Sequence, residues 1–226
     1  SPGPDPSRRA ARSADAPRQT AGALSGPLFR PRDARQSSPG RHLGGGRAGG
    51  RLPGILATVQ TRRANPTMLL GVLSDTHGMI EPARKAVRVL QDRNVKHVIH
   101  CGDIGSPGIV PLFEPFDAHF VLGNCDNAIT MPLAIASAGQ TCHGRMGELQ
   151  LEGCKIAFLH GDGPMAIERL LQEGQWDLIC HGHTHVAGVR SIGDVVVVNP
   201  GALTRCRRPS LAVIRVPELQ VAAIAL

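Results

Sequence analysis

"MLLGVLSDTHG" (residues 68–78) is an apolar run of strand length that stops abruptly at Ser74, Asp75, Thr76 and His77. A run this short, bounded by a polar cluster, reads as a buried strand. The next stretch, "EPARKAVRVLQD" (81–92), places Pro82 where a first helical turn tolerates it and Ala86, Val87 and Leu90 on one face. "VKHVIHCGD" (95–103) is a second strand, a short helix is expected at about 106–114, and "AHFVLGN" (118–124) is a third strand. Strand, helix, strand, helix, strand implies parallel crossover units in a sheet covered on both faces.

Further on the pattern changes. "ELQLE" and "CKIAFLH" lie either side of Gly153 and read as a hairpin, and "GPMAIERLLQEG" (163–174) as a helix with Ile167, Leu170 and Leu171 on one face and Gly174 past its end. Asp162, ahead of Pro164, is the expected cap of that helix. "DLICHGH" is another buried strand, and the remaining runs, from "VAGVRSIG" to "QVAAIAL", suggest mostly antiparallel strands. The result is one mixed α/β domain over residues 68–226.

The first 67 residues differ in kind. They hold twelve Arg, no Lys and three Asp, with nine Pro and ten Gly in stretches such as "HLGGGRAGGRLPG". Without a sustained apolar period they cannot bury enough surface to offset the entropy of ordering, and they read as a disordered extension. Upstream sequence ahead of a true start at Met68 is the first explanation; an Arg-rich transit peptide and a basic arm for nucleic acid are the others. The chain's formal charge of +7 therefore belongs to this segment, because residues 68–226 carry thirteen basic and fifteen acidic residues. With one Trp and no Tyr as well, nucleic acid is not favoured as a partner of the folded part. No apolar run approaches the ~20 residues of a membrane helix. The six cysteines (101, 125, 142, 154, 180, 206) form no C-x-x-C pair, which is the usage of a reduced, cytoplasmic protein.

What ends each apolar run carries the chemistry. The runs finish in Asp75 and His77, in Asp103, in Asn124, in His160, and in His183 and His185. In an open α/β sheet, ligands bind outside the carboxyl ends of the strands. Seven oxygen and imidazole donors are too many for one tetrahedral ion and contain no thiolate, which argues against a structural zinc knot and for a two-metal cluster with a bridging carboxylate. Of the alternate histidines 181, 183 and 185, His183 and His185 could both face one centre, since residues two apart in an extended segment share a side.

In order along the chain, "SDTHG", "HCGDIG", "GNCD", "LHGDG", "GHTH" and "NPGA" resemble the motifs of the calcineurin-like metallophosphoesterases, in particular their small single-domain bacterial and archaeal phosphodiesterases. The resemblance runs from Asp75 to about Ala202. It implies a four-layer α/β/β/α sandwich of two mixed sheets flanked by helices. It implies two divalent transition-metal ions, manganese first among Mn, Ni, Zn, Fe and Co. One ion would take Asp75, His77, Asp103 and His185, the other Asp103, Asn124, His160 and His183, with Asp103 bridging and His181 outside the set. Asp103, Asn124 and His160 are then the catalytic residues, and the implied reaction is hydrolysis of a small phosphodiester by a metal-bridging hydroxide.

One departure bears on the substrate. Many relatives carry His after Gly-Asn, where it can protonate the leaving group; here that residue is Cys125, a poor general acid. Good, aryl-type leaving groups are expected. Arg205, Arg207 and Arg208, after "NPGA", are candidates to grip a substrate phosphate. Other histidines read as structural: His97 and His100 flank the second strand, and His143 lies in a loop. Cys101 and Cys180 read as small buried side chains. The competing class is a metal-binding scaffold for protein contacts, as in a eukaryotic retromer subunit of this fold; a homo-oligomer is left open.

Overall fold

The computed structural model describes residues 68–226. The expected extension over 1–67 lies outside the described residues. Met68–Leu73 forms β1, Ile80–Gln91 α1, His97–His100 β2 and Asp117–Phe120 β3. The crossovers make β1–β2 and β2–β3 parallel, with Leu73 opposite His100 and His100 opposite Phe120. Three helical or strand features depart from expectation. The segment after Ser106 is a 3₁₀ helix, Pro107–Phe113, capped by the Ser106 hydroxyl, which accepts from Gly108 N at 3.3 Å; Pro111 inside it has no N–H to donate to an α-helical ladder. Helix α2 (Thr130–Ser137), "TMPLAIAS", is apolar on every side and gives no amphipathic stripe, so nothing in its pattern announced it. Asp162 does not cap the next helix, α3 (Ala166–Glu173), whose preceding residue is Met165 in left-handed backbone; four positions ahead of Ala166, Asp162 instead pairs with the Arg145 guanidinium.

The expected hairpin is present. β5 (Met146–Leu151) and β6 (Cys154–Leu159) are joined by Glu152 and Gly153 at φ 49° and 86°, the two positive angles that match the twist of a two-residue hairpin loop. The remaining strands follow as the short β4 (Thr141–Cys142), β7 (Leu178–Cys180), β8 (Gly188–Ile192), β9 (Val195–Asn199), β10 (Ser210–Val216) and β11 (Gln220–Ala225). They divide between two mixed sheets, ordered β11-β10-β1-β2-β3-β4 and β5-β6-β7-β9-β8. After β9 the chain leaves the second sheet and β10 returns to the first, antiparallel to β1, with Leu70 opposite Ile214.

Three separate apolar clusters separate four layers. Leu73, Val98 and Phe120 pack with Leu90, Phe113 and Ile135 beneath α1, α2 and the 3₁₀ helix. Leu70, Val72, Ile99 and Val121, the alternate residues of the same strands, face Ile156, Phe158 and Val198 between the sheets, together with Cys101 and Cys180. Ala157, Leu159 and Ile179 pack against Leu170 and Trp176 on the far side. The inner strands β1, β2, β3 and β10 of the first sheet are thus buried on both faces, which is why their sequences read as continuous apolar runs. No helix among the described residues is long and apolar enough to cross a membrane.

Candidate metal centre

The loops leaving β1 and β2 are tied by continued backbone pairing. Asp75 N donates to Gly102 O at 3.0 Å, His77 N to Asp103 O at 2.9 Å and Gly78 N to Ile104 O at 2.8 Å. Gly182 N likewise donates to His160 O at 2.9 Å, joining the ends of β6 and β7. The strand ends thereby converge, and the donors they carry meet. Asp75 Oδ1 lies 3.2 Å from His185 Nε2 and 3.8 Å from His77 Nε2, and the two Nε2 atoms face each other at 3.3 Å. Asp103 addresses both sides: Oδ2 is 3.8 Å from His77 Nε2 and Oδ1 is 3.4 Å from His160 Nε2. Asn124 Oδ1 stands 3.1 Å from the same His160 nitrogen.

Five of these residues, Asp75, His77, Asp103, His183 and His185, hold φ between 45° and 69°. Left-handed backbone costs a non-glycine residue of order 1–3 kcal/mol and persists only where surrounding structure over-determines it. Here the close approach is enforced by glycine. A Cβ on Gly123 would overlap the Asp103 carboxylate, and one on Gly182 would overlap the Ser74 hydroxyl and stand 3.0 Å from Asp75 Oδ2.

The protonation pattern fits a cation. His160 Nδ1 lies 2.8 Å from the Cys101 carbonyl and donates to it, which leaves Nε2 to face the oxygens of Asp103 and Asn124. Burial resists a charge on His160, but its hydrogen bonds to the Asp103 carboxylate and the Cys101 carbonyl raise its pKa. Burial alone would raise the Asp103 carboxyl, but hydrogen bonds from His160 and Cys125 hold it well below the usual carboxylate range. His77 is shifted the other way, lowered by burial and by the nearby Arg205 charge. Asp75 Oδ1 is buried and accepts no hydrogen bond. A buried carboxylate oxygen without a donor, ringed by imidazole nitrogens, is costly unless a cation completes it. The donor set of imidazole, carboxylate and amide oxygen suits a divalent metal.

Each predicted donor can now be placed. Asp75, His77 and His185 form one convergent group, and Asp75, Asp103 and His160 a second. Asn124 joins the second through His160, and His183 stands edge-on to the His160 ring with centroids 5.1 Å apart, its backbone N–H donating to Asp75 Oδ2 at 3.3 Å. His183 contributes no nitrogen to the convergent groups among the described residues. His181 sits outside them, Nδ1 against the Gly182 carbonyl. Cys125 is exposed, its backbone N–H donates to Asp103 Oδ1 at 2.9 Å, and the Asp103 carboxylate pushes its thiol pKa up. Arg205 is exposed, with its charge felt at His77 and its carbonyl 3.4 Å from His185 Nδ1; Arg207 and Arg208 follow on the same exposed loop.

Several supporting residues escaped sequence reasoning. Asp126 accepts from Gly105 N at 2.8 Å, Ile104 N at 3.1 Å and Gly123 N at 2.8 Å, clamping the loops that carry Asp103 and Asn124. Asn199 donates to Gly182 O and Thr184 Oγ1, both at 3.0 Å, and accepts from Gly201 N, fixing the His183–His185 turn. Thr76 Oγ1 meets His100 Nε2 and the Ile104 carbonyl, each at 3.0 Å, between Asp75 and His77, so His100 has a supporting part that the sequence did not suggest. The signals were present: Asp126 stands two residues after Asn124, and Asn199 ends the apolar run of β9.

Two mixed sheets between helical layers, with imidazoles and carboxylates gathered at their strand ends, define a metal-dependent hydrolase. The comparisons narrow the class. Residues 68–218 match the model of the calcineurin-like phosphoesterase superfamily domain, and the chain belongs to that superfamily. A phosphodiesterase of Methanocaldococcus jannaschii is 29% identical over 150 residues, which are 59% of this chain and 83% of that protein. A probable metallophosphoesterase of Methanothermobacter thermautotrophicus is 30% identical over 159 residues, 66% of this chain and 86% of that protein. The structure of an archaeal phosphodiesterase superposes with a TM-score of 0.66 at 26% identity, covering 70% of this chain and all of that one. The protein is a metal-dependent phosphoesterase.

Proposed function

We propose that the protein hydrolyses small phosphodiesters with two divalent transition-metal ions, manganese first, sharing Asp103. The observation that carries this reading is the orphaned Asp75 Oδ1 beside an Asp103 carboxylate whose two oxygens address different imidazoles. Asp75, His77 and His185 would hold one ion and Asn124, His160 and His183 the other. Ions at these positions supply an activated water nucleophile at neutral pH and neutralise a phosphoryl oxygen.

The chain's own residues then set geometry and protons. Asp126 and Asn199 hold the loops so that the donors stay convergent. His160, anchored through Nδ1 to the Cys101 carbonyl, keeps Nε2 directed inward. Arg205, whose charge is felt at His77, would attract the ester anion, with Arg207 two residues on. One P–O bond forms to the oxygen of water and one breaks to the leaving oxygen, which must gain a proton. Cys125 occupies the position from which that proton would come, and a thiol with a raised pKa gives it up reluctantly. Aryl esters, whose phenolate departs unaided, are the favoured substrates.

The test is hydrolysis of bis-p-nitrophenyl phosphate by metal-stripped protein with Mn, Ni, Zn or Mg restored singly, beside an Asp103→Asn variant. Turnover that returns with a transition metal and is absent in the variant supports the reading. Metal bound without turnover of any diester would replace it with a binding scaffold.

A further inference from the structure

At the opposite end of β2 and β3 from the metal centre lies a second set of donors that the reaction does not use. His97 and Asp117 are the first residues of the two strands and are paired in the parallel register. They share the parity of Ile99 and Val121, whose side chains lie between the sheets, and His119 follows two residues on from Asp117, packing at a 6.4 Å centroid distance from Phe158 of the other sheet. Asp117 Oδ2 is 3.0 Å from His97 Nδ1, and Asp117 Oδ1 is 3.5 Å from His119 Nε2. One donor atom from each residue lies within 4.8 Å of the other two.

We propose that His97, Asp117 and His119 bind an additional divalent transition ion of the zinc type, separate from the catalytic centre. A tetrahedral zinc with bonds of 2.0–2.1 Å sets its ligands about 3.3 Å apart, and each imidazole lies near that distance from its own oxygen of Asp117, so a small rotation of the carboxylate would bring one oxygen to the ion. His97 does not satisfy the carboxylate as an ordinary hydrogen bond would. His97 Nδ1 is buried and has no hydrogen-bond partner even at 3.0 Å from Asp117 Oδ2. The far nitrogen of His119 is already engaged: Nδ1 lies 3.0 Å from His143 Nε2. If Nδ1–H donates to His143, Nε2 of a neutral His119 presents a lone pair to Asp117. That is the arrangement by which an outer hydrogen bond orients a metal-binding histidine. Burial lowers the pKa of both His119 and His143, consistent with neutral rings. Two imidazoles and one carboxylate leave a coordination position for water, reached from solvent because the Asp117 side chain is 58% exposed. The ion would tie the starts of adjacent strands together, a structural part with no reach to the phosphoester.

The experiment is a difference in stoichiometry. Metal-free full-length chain, Asp117→Asn and His97→Gln are each dialysed to equilibrium against zinc, and bound metal is measured by elemental analysis. The expected result is one zinc fewer per chain in both variants. Titration with cobalt should show the visible absorption of a tetrahedral ion lost in the same variants, and bis-p-nitrophenyl phosphate turnover should stay within about twofold of the unsubstituted chain. Asp117 is more than half exposed, so its variant is expected to fold, and His97→Gln on the other strand provides a second reading. Equal zinc stoichiometry in all three chains overturns the proposal. Because the readout is a difference, it holds whether the catalytic centre binds one ion, two or none.

Discussion

The two ends of β2 pose a contrast. At its carboxyl end, Asp103 is almost fully buried in left-handed backbone, with Gly102 and Gly123 allowing neighbouring loops within contact distance. At its amino end, His97 and Asp117 stand in regular strand geometry, and the aspartate faces solvent. Strain and burial gather where the chain must hold charge against its own preference. A pair of in-register strand residues needs neither. The contrast teaches that donor chemistry alone does not separate a reactive centre from a structural one; the backbone around it does.

Substitutions should follow that gradient. Asp103→Asn removes the carboxylate that serves both sides of the centre, and diester turnover should fall by more than about 10³-fold, measured with a saturating transition metal. Asp126→Ala leaves every donor in place but frees the Ile104, Gly105 and Gly123 amides. Metal affinity in equilibrium dialysis should weaken by roughly 10–100-fold, the usual cost of losing an outer-shell partner. An unchanged affinity would mean that the loops are held by the backbone pairing alone. Cys125→His introduces an imidazole near the leaving oxygen, so the ratio of alkyl to aryl ester turnover should rise by about tenfold or more. A ratio that stays put would place the proton source elsewhere.

Two effects of pH probe the carboxyl end of β2. In the metal-free protein, the raised pKa of His160 means that metal uptake must displace a proton. Apparent affinity should therefore fall as pH drops through that pKa, and calorimetry in buffers of different ionisation enthalpy should detect the released proton. His100 is fully buried between Phe113 and Phe120, and burial lowers its pKa to about 3. Between 6.5 and about 3 the unfolded chain binds the proton that the folded chain refuses, so stability is complete above 6.5 and declines as pH falls through this window. A His100→Phe variant should lose Tm less steeply across that range. The smallest expected change is at the far end of the strand, where Asp117→Asn should alter bound zinc while leaving turnover nearly untouched.

Much of this molecule is written locally. Apolar runs of strand length, the hairpin at Gly153 and the stripe of α1 depend on neighbours a few residues apart, and residue chemistry at the end of each run is visible without a fold. That is why Asp75, His77, Asp103, Asn124, His160, His183 and His185 could be singled out from sequence. Helix α2 could not, because a segment apolar on all sides carries no period. Nor could the division of strands between two sheets, since the return of β10 beside β1 is settled by burial of Leu70 against Ile214 across a separation of more than a hundred residues. The sequence by itself determined the strands other than the short β4, their polar ends and the kind of donor each end supplies. Only the tertiary structure decided which nitrogen faces which oxygen, which loops are clamped by Asp126 and Asn199, and that His97, Asp117 and His119 meet. Those outcomes depend on contacts between segments far apart in the chain, whose geometry no local pattern encodes.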